Sequence, residues 1–157
     1  MKRTYIRAAR TTDLVDLVNL LQQLFAIEED FEPDTRRQQC GLEMLLDSQT
    51  ALIMVAEEEN KVIGMCTGQL LVSTAEGGLS LLIEDVIVDE HWRGQGVGKQ
   101  LLKGLEEWAC EKKASRFQLL ADRSNQAGLD FYDKLHWQST QLFCLRKKPV
   151  THNENEG

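Results

Sequence analysis

Apolar positions recur along this chain with two different periods, and the changes of period divide it into elements. Residues 4–8, TYIRA, read as a short and partly polar first strand. Leu14, Leu17, Val18, Leu21, Leu24 and Phe25 then fall at three- and four-residue steps, one apolar stripe on a helix capped by Thr11 or Thr12, with Asp13 and Asp16 in its first turns. The charged stretch EEDFEPD at 28–34 interrupts, and a second helix is predicted over 35–47 with Leu42, Leu45 and Leu46 inward. From Ala51 the period shortens. ALIMVAEEE, a turn at Glu59, Asn60 and Lys61, and VIGMCTGQLLV read as an antiparallel pair. After Glu76, Gly77 and Gly78 comes LSLLIEDVIV, whose apolar residues occupy both parities, as in a strand covered on both faces.

The densest signal spans residues 83–102, IEDVIVDEHWRGQGVGKQLL, where a buried strand leads through a glycine-rich loop into an amphipathic helix. Glycine permits positive φ and leaves no Cβ between backbone N–H groups and a ligand. Val97 opens the helix, so its first unpaired N–H groups and positive dipole end face the loop, an arrangement suited to phosphate. A ligand-free connection is the other reading of a glycine cluster. A Walker A loop would need glycine at Arg93 and Ser or Thr at Gln100, and a G-x-G-x-x-G fingerprint would need glycine at Lys99 or Leu101, so both are excluded. The remaining pattern is Arg-x-x-Gly-x-Gly: Arg93, Gly96 and Gly98. Beyond the helix, RFQLLA at 116–121 is predicted to run parallel to the central strand, because a helix connects them. A last helix over 125–135, capped by Ser124 or Asn125, and final strands at 137–140 and 141–146 follow; residues 148–157 are expected to be disordered.

Composition narrows the function classes. The 157 residues, with 42% apolar and 27% charged side chains, fit one domain with a sizeable core. A net charge of −7 gives no basic surface for nucleic acid, since Arg146, Lys147 and Lys148 end a strand. Cysteines at 40, 66, 110 and 144 form no C-x-x-C pair and approach no histidine, which argues against zinc and against a disulfide framework. Reduced thiols, no apolar run of spanning length and no apolar signal segment lead us to expect a cytoplasmic protein without a membrane.

With the loop motif in this context, the chain resembles the GNAT superfamily of acyl-CoA-dependent N-acyltransferases, and the IEDV segment is similar to the diamine N-acetyltransferase branch. A second motif agrees: in NQAGLDFYDKLHW, Asn125, Phe131, Tyr132 and Lys134 match the family pattern N-x-x-A-x-x-[FL]-Y-x-K-x-G-F, while Gly128 replaces alanine and His136-Trp137 replaces Gly-Phe. Glycine at 128 costs its helix about 1 kcal/mol relative to alanine, and His136 is placed to hold a left-handed cap. The resemblance covers nearly the whole chain. It implies an α/β (α+β) GNAT fold: one domain over 1–147, with a mixed, mostly antiparallel six- to seven-stranded sheet flanked by helices in the order β-α-α-β-β-β-α-β-α-β-β.

The resemblance also implies acetyl-CoA as co-substrate, no metal, a small-molecule or peptide amine as acceptor, and a homodimer. Arg93, Gly94, Gln95, Gly96, Val97, Gly98 and Lys99 would wrap the CoA pyrophosphate, and Val86, Ile87 and Val88 would offer main-chain groups to the pantetheine and thioester. Asn125, Gly128 and Tyr132 would complete the cofactor site. Tyr132 would be the general acid for the leaving thiolate, and Glu84 the base for the amine. Asp85 would be a second substrate-side carboxylate or a salt-bridge partner of Arg7, Arg116 or a lysine. Strict alternation would place Glu84 and Asp85 on opposite faces unless a bulge intervenes. Glu28 and Glu29, at the head of an acidic stretch between the first two helices, would border the acceptor. A catalytically silent acyl-CoA-binding module is the competing class, disfavoured because both Tyr132 and Glu84 are present.

Overall fold

The computed structural model describes residues 4–28 and 34–150. Five strands form one sheet in sequence order: β1 (Tyr5–Ala8), β2 (Ala51–Glu58), β3 (Lys61–Ser73), β4 (Gly78–Val88) and β5 (Arg116–Leu119). The first four pair antiparallel and β5 joins β4 in parallel. Helices α1 (Leu14–Ile27), α2 (Thr35–Asp47), α3 (Val97–Glu111) and α4 (Gln126–Lys134) connect or follow them. The β2–β3 hairpin closes through Glu59 and Asn60, with φ of 52° and 62°, a pair of left-handed residues of the kind that suits the twist of a tight hairpin.

Two cores sandwich the sheet. On one face α1 and α2 bring Leu17, Leu20, Leu21, Leu24 and Leu42 against Ile53, Val55, Met65 and Ile87. On the other, α3 lays Val97, Leu101, Leu102, Leu105 and Ala109 over Ala56, Ile63, Cys66, Leu81 and Ile83. Close approach of α3 requires glycine beneath it: a Cβ on Gly68 would lie 2.8 Å from Leu81 Cδ1 and 2.9 Å from Leu105 Cδ1. Apolar runs of both parities in β3 and β4 are thus explained by cover on both sides.

Several expectations change. Neither threonine side chain caps α1. Thr11–Asp13 form a 3-10 turn, and the Asp13 carboxylate accepts from the Arg10 backbone N–H at 2.8 Å. Arg7 donates to both oxygens of Asp13, at 2.8 and 3.0 Å, and to Glu57 at 3.0 Å, tying β1, the turn and β2 together. That hydrogen-bonded fork holds the Asp13 carboxyl below its usual range. Among the described residues the sheet has five strands, not six or seven, because residues 137–140 and 141–146 form neither strand nor helix. Every residue from 138 to 150 is exposed, so among the described residues nothing supplies the cover their apolar side chains would need as strands. Residues 151–157 of the expected tail lie outside the described residues.

Leu101 is fully buried where α3 meets the sheet. Leu101→Ala is expected to destabilise the fold by about 2–5 kcal/mol, read as a lower denaturant midpoint at unchanged slope.

Candidate active site

The site is built where two parallel strands part. β4 and β5 pair from Ser80 and Arg116 as far as Ile83 and Leu119. Beyond that point β4 continues to Val88, while the other chain segment turns away through 120–125 to start α4. The cause lies partly in β4 itself. Its register against β3 runs Thr67 to Glu84 and then Met65 to Ile87, so Asp85 and Val86 together face Cys66. This is a β-bulge, and Asp85 takes a left-handed φ of 53°. A bulge bends its strand and adds local twist. The β4 main chain past Ile83 is therefore released from β5 and borders an open cleft.

The bulge also settles the two carboxylates. Both line the cleft, together with Glu28 from the end of α1 and Asn125, Gly128 and Tyr132 from α4. Glu84 is exposed and Asp85 half-buried. The expected salt-bridge partners of Asp85 are engaged elsewhere, Arg7 with Asp13 and Glu57, and Arg116 with Glu76. Asp85 instead meets the Thr67 hydroxyl at 3.3 Å, and that hydroxyl also reaches the Glu84 carbonyl at 3.1 Å. One hydroxyl carries one proton. When Thr67 donates to the carbonyl, a proton on Asp85 completes the chain to the hydroxyl. Burial, followed by the Glu84 charge, pushes the Asp85 carboxyl up to about 6, and the Thr67 hydrogen bond opposes this.

Tyr132 packs against Phe131 and Trp137 at ring distances of 5.2 and 6.2 Å. Burial first, with Glu28 adding negative potential, pushes its phenol up to about 12, so it holds its proton at neutral pH. Cys66 is fully buried in β3, and burial pushes its thiol up, so it stays neutral. The helix presenting Tyr132 begins on Asn125, whose side-chain oxygen accepts from the Gly128 N–H at 3.1 Å. A Cβ at 128 would come within 2.7 Å of the Asn125 amide nitrogen. Glycine there lets the amide fold over the first turn. His136 ends the helix region with φ 68°, the left-handed position expected of it.

The glycine-rich loop lies outside the lining of this cleft and is joined to it through α4. Gly94 and Gly96 have φ of 75° and 80°, and open space where a Cβ would stand. Gly98 serves differently: a Cβ there would sit 3.0 Å from the Phe131 ring, so glycine brings α4 onto the start of α3. The first helical bond of α3 runs from Gln100 N to Gly96 O at 3.1 Å, leaving the Val97, Gly98 and Lys99 N–H groups ahead of it. Arg93 donates to the Val88 carbonyl at 2.9 Å, fixing the loop to the end of β4. An open backbone cradle at a helix N-terminus fits a pyrophosphate.

Sequence reasoning misses Leu24, Leu119, Leu120, Ala121, Asp122 and Leu129, which complete the cleft, and it misses Thr67. The end of a parallel strand is a general signal for a ligand site, but Thr67 carries none. Glu29 and most of the acidic stretch lie outside the described residues. Among the described residues no cluster of His, Cys, Asp and Glu could hold a metal ion, and no helix is long and apolar enough to cross a membrane.

Comparison with known proteins agrees with this geometry. Residues 14–137 match the Acetyltransferase (GNAT) family. The chain is 28% identical over 141 residues to the mouse thialysine N-epsilon-acetyltransferase, covering 84% of this chain and 82% of that protein. Among solved structures, a putative acetyltransferase from Agrobacterium tumefaciens superposes with a TM-score of 0.78 at 27% identity, covering 91% of this chain and 99% of that one. The aminoglycoside N-acetyltransferase AAC(6')-Iy, solved in complex with CoA, shares the fold with a TM-score of 0.82 at 18% identity, over 96% and 97% of the two chains. The chain belongs to the GNAT family of acetyltransferases. It is an acyl-CoA-dependent N-acetyltransferase with acetyl-CoA as co-substrate.

The environment of Asp85 gives a signed prediction. Glu84→Gln removes a negative neighbour and should lower the Asp85 pKa below about 6, whereas Thr67→Val removes a stabilising donor and should raise it. Carboxyl carbon NMR across a pH titration reads both. Because the folded value lies above the ordinary 3.8, the folded state binds this proton more tightly. The Asp85 contribution to stability should therefore fall as pH rises from about 4 through 6, and Asp85→Asn should flatten that slope.

Proposed function

We propose that the enzyme acetylates a primary amine of a small molecule or peptide by direct attack within a ternary complex, as a cytoplasmic homodimer. The observation that carries the chemistry is the parted β4–β5 cleft, with carboxylates on one wall and a protonated phenol on the other. Pyrophosphate sits on residues 93–99, and the pantetheine runs along the β4 main chain at Val86, Ile87 and Val88, where it takes the hydrogen bonds β5 no longer makes. Asn125 and Gly128 shape the opposite wall.

Glu84, open to the cleft, takes a proton from the ammonium directly or through water, which frees the nitrogen lone pair. The C–N bond forms as the carbonyl π pair moves onto oxygen, where a β4 backbone N–H stabilises the oxyanion. Collapse breaks the C–S bond. Tyr132 protonates the departing thiolate and regains a proton shed by the new amide nitrogen through water. Burial that raises the phenol to about 12 would also raise a thiolate leaving into the same cleft, so the two shifts offset each other. The neutral, fully buried thiol of Cys66 is a poor nucleophile, which favours direct attack over an acyl-cysteine route. Asp85, behind Glu84, adds negative charge above about pH 6.

Two observations bear on the acceptor. Glu28, at the head of the acidic stretch, lines the cleft together with Glu84 and Asp85. The relatives named above act on thialysine and on aminoglycosides, both amines. An acidic entrance favours a cationic acceptor with more than one amine, such as a polyamine or a lysine-like molecule.

A panel of amines assayed with acetyl-CoA by free-thiol release tests the reading directly. Tyr132→Phe keeps the ring, so CoA binding should persist by calorimetry while turnover falls roughly 10²–10⁴-fold. Wild-type turnover in that variant would sink the acid role. Glu28→Gln should raise KM for spermidine and leave a neutral aromatic amine unaffected. An equal effect on both substrates removes the cationic-acceptor reading alone.

A further inference from the structure

Thr67 lies beside the β4 bulge and is almost fully buried, at 2% exposure. It stands opposite Glu84 in the β3–β4 register, so the two side chains belong to one face of the sheet. Regular alternation would send Asp85 to the other face. The bulge and the left-handed φ of 53° turn it back, and its carboxylate meets the hydroxyl of the residue paired with its predecessor. That hydroxyl sits between two acceptors, Asp85 Oδ2 at 3.3 Å and the Glu84 carbonyl at 3.1 Å, with one proton to give. Valine has the same branched shape and suits a strand as well, so packing alone does not call for the hydroxyl.

We propose that Thr67 is a positioning residue for acetyl transfer: its hydroxyl holds Asp85 in the cleft to receive the acceptor's proton from Glu84, and turns between carboxylate and carbonyl as that proton arrives and leaves. This rests on the amine-acetylation mechanism proposed above and extends it from the base to the group beside it. Before transfer Thr67 donates to the Asp85 carboxylate. The acceptor N–H bond breaks with its electron pair left on nitrogen, and an O–H bond forms on Glu84. The proton then moves to Asp85, directly or through water, which returns Glu84 to its charged form. Once protonated, Asp85 donates to the Thr67 oxygen, and the hydroxyl turns its own proton to the Glu84 carbonyl. The hydroxyl keeps a partner in both states. Release of the proton from Asp85 to water in the cleft closes the cycle, and a carboxyl raised to about 6 can hold or lose it near neutral pH.

The groups that face Asp85 fix the sign of its response to pH. Glu84 precedes it on β4, Cys66 lies beside Thr67 on β3, Glu28 ends α1, Asp122 follows β5 and Tyr132 stands on α4. From α3, Glu106 acts on Cys66. Among the described residues no lysine, arginine or histidine lines the cleft. Thr67 supplies the hydrogen bond that favours the charged form of Asp85, against burial and the Glu84 charge. Without the hydroxyl, Asp85 should reach its charged form only at higher pH.

The test follows kcat against pH at saturating acetyl-CoA and spermidine, or whichever amine of the panel turns over fastest, so that the acceptor's own ionisation is common to every variant. Thr67→Val should move the acid limb to higher pH, and each unit of movement costs about tenfold in rate below it. Thr67→Ser keeps the hydroxyl and should return the limb to its wild-type place. Asp85→Asn should lower turnover, and Thr67→Val added to it should move the limb no further, because the two residues act through one proton. Circular dichroism reports folding in each variant. Where Thr67→Val does not fold, Thr67→Ala removes the same hydroxyl without a second methyl to accommodate. A limb that stays in place in the folded hydroxyl-free variant, a loss equal at every pH, a serine variant no better than valine, or wild-type turnover in Asp85→Asn would each overturn the role of Thr67. Glu84→Gln separates that role from the base assignment beneath it. Wild-type turnover in Glu84→Gln defeats the base, and the positioning role with it. An inactive Glu84→Gln beside an unmoved Thr67→Val limb defeats the positioning role alone.

Discussion

Everything the site does depends on β4 ceasing to pair with β5 after Ile83. If the two strands stayed in register, the main chain of Val86, Ile87 and Val88 would be consumed by the sheet. No cleft would separate the carboxylates of β4 from the tyrosine of α4. The parting has a local origin in the bulge that sets Asp85 and Val86 against the single residue Cys66. It has a distant support in α3, whose buried leucines hold β4 flat against β3 while α4 packs over Gly98 through Phe131. Two neighbouring glycines thereby serve different ends: Gly96 bends the backbone into the left-handed region ahead of α3, and Gly98 in its first turn makes room for a ring.

Much of this was legible in the sequence because each signal has one physical origin. The loop announces itself through Arg93, Gly96 and Gly98 between an apolar strand and an amphipathic helix, and Val97 does open α3. Asn125 was readable as a cap because its short amide can accept from the first turn, as it does from Gly128. The bulge was foreseen only as a condition, since two adjacent carboxylates in an apolar strand demand some break in alternation without saying where. Thr67 carries no such signal: a threonine within a predicted strand looks like strand propensity, and its bond to Asp85 exists only across the β3–β4 register.

The C-terminal segment shows the opposite failure. Trp137 to Arg146 has strand composition, and composition reports what a segment can do when it is covered. The structure covers Trp137 in part and leaves 138–146 exposed, because β5 has a free edge but no described residue returns to it. Similarly, the threonines before α1 had the chemistry of caps, but Asp13 won. A carboxylate that also accepts two Arg7 donors satisfies more groups than a hydroxyl could. Local propensity set the candidates, and tertiary contacts chose among them.

Asp85 bears two costs that a merely structural residue would shed. A non-glycine residue in the left-handed region is disfavoured by roughly 1–2 kcal/mol. At about 1.4 kcal/mol per pH unit, a carboxyl held near 6 where the ordinary value is 3.8 costs the folded state on the order of 3 kcal/mol at neutral pH. Asparagine would tolerate the same φ and keep the Thr67 contact without any charge. That the chain carries an ionisable group here, beside the exposed Glu84 and facing Tyr132 across the cleft, argues that the charge itself is used. The Arg7 fork on Asp13 and Glu57 and the doubly covered sheet supply stability elsewhere. The fold can therefore hold a strained, partly buried carboxylate where β4 leaves the sheet, which is where the proposed mechanism has an ammonium lose its proton.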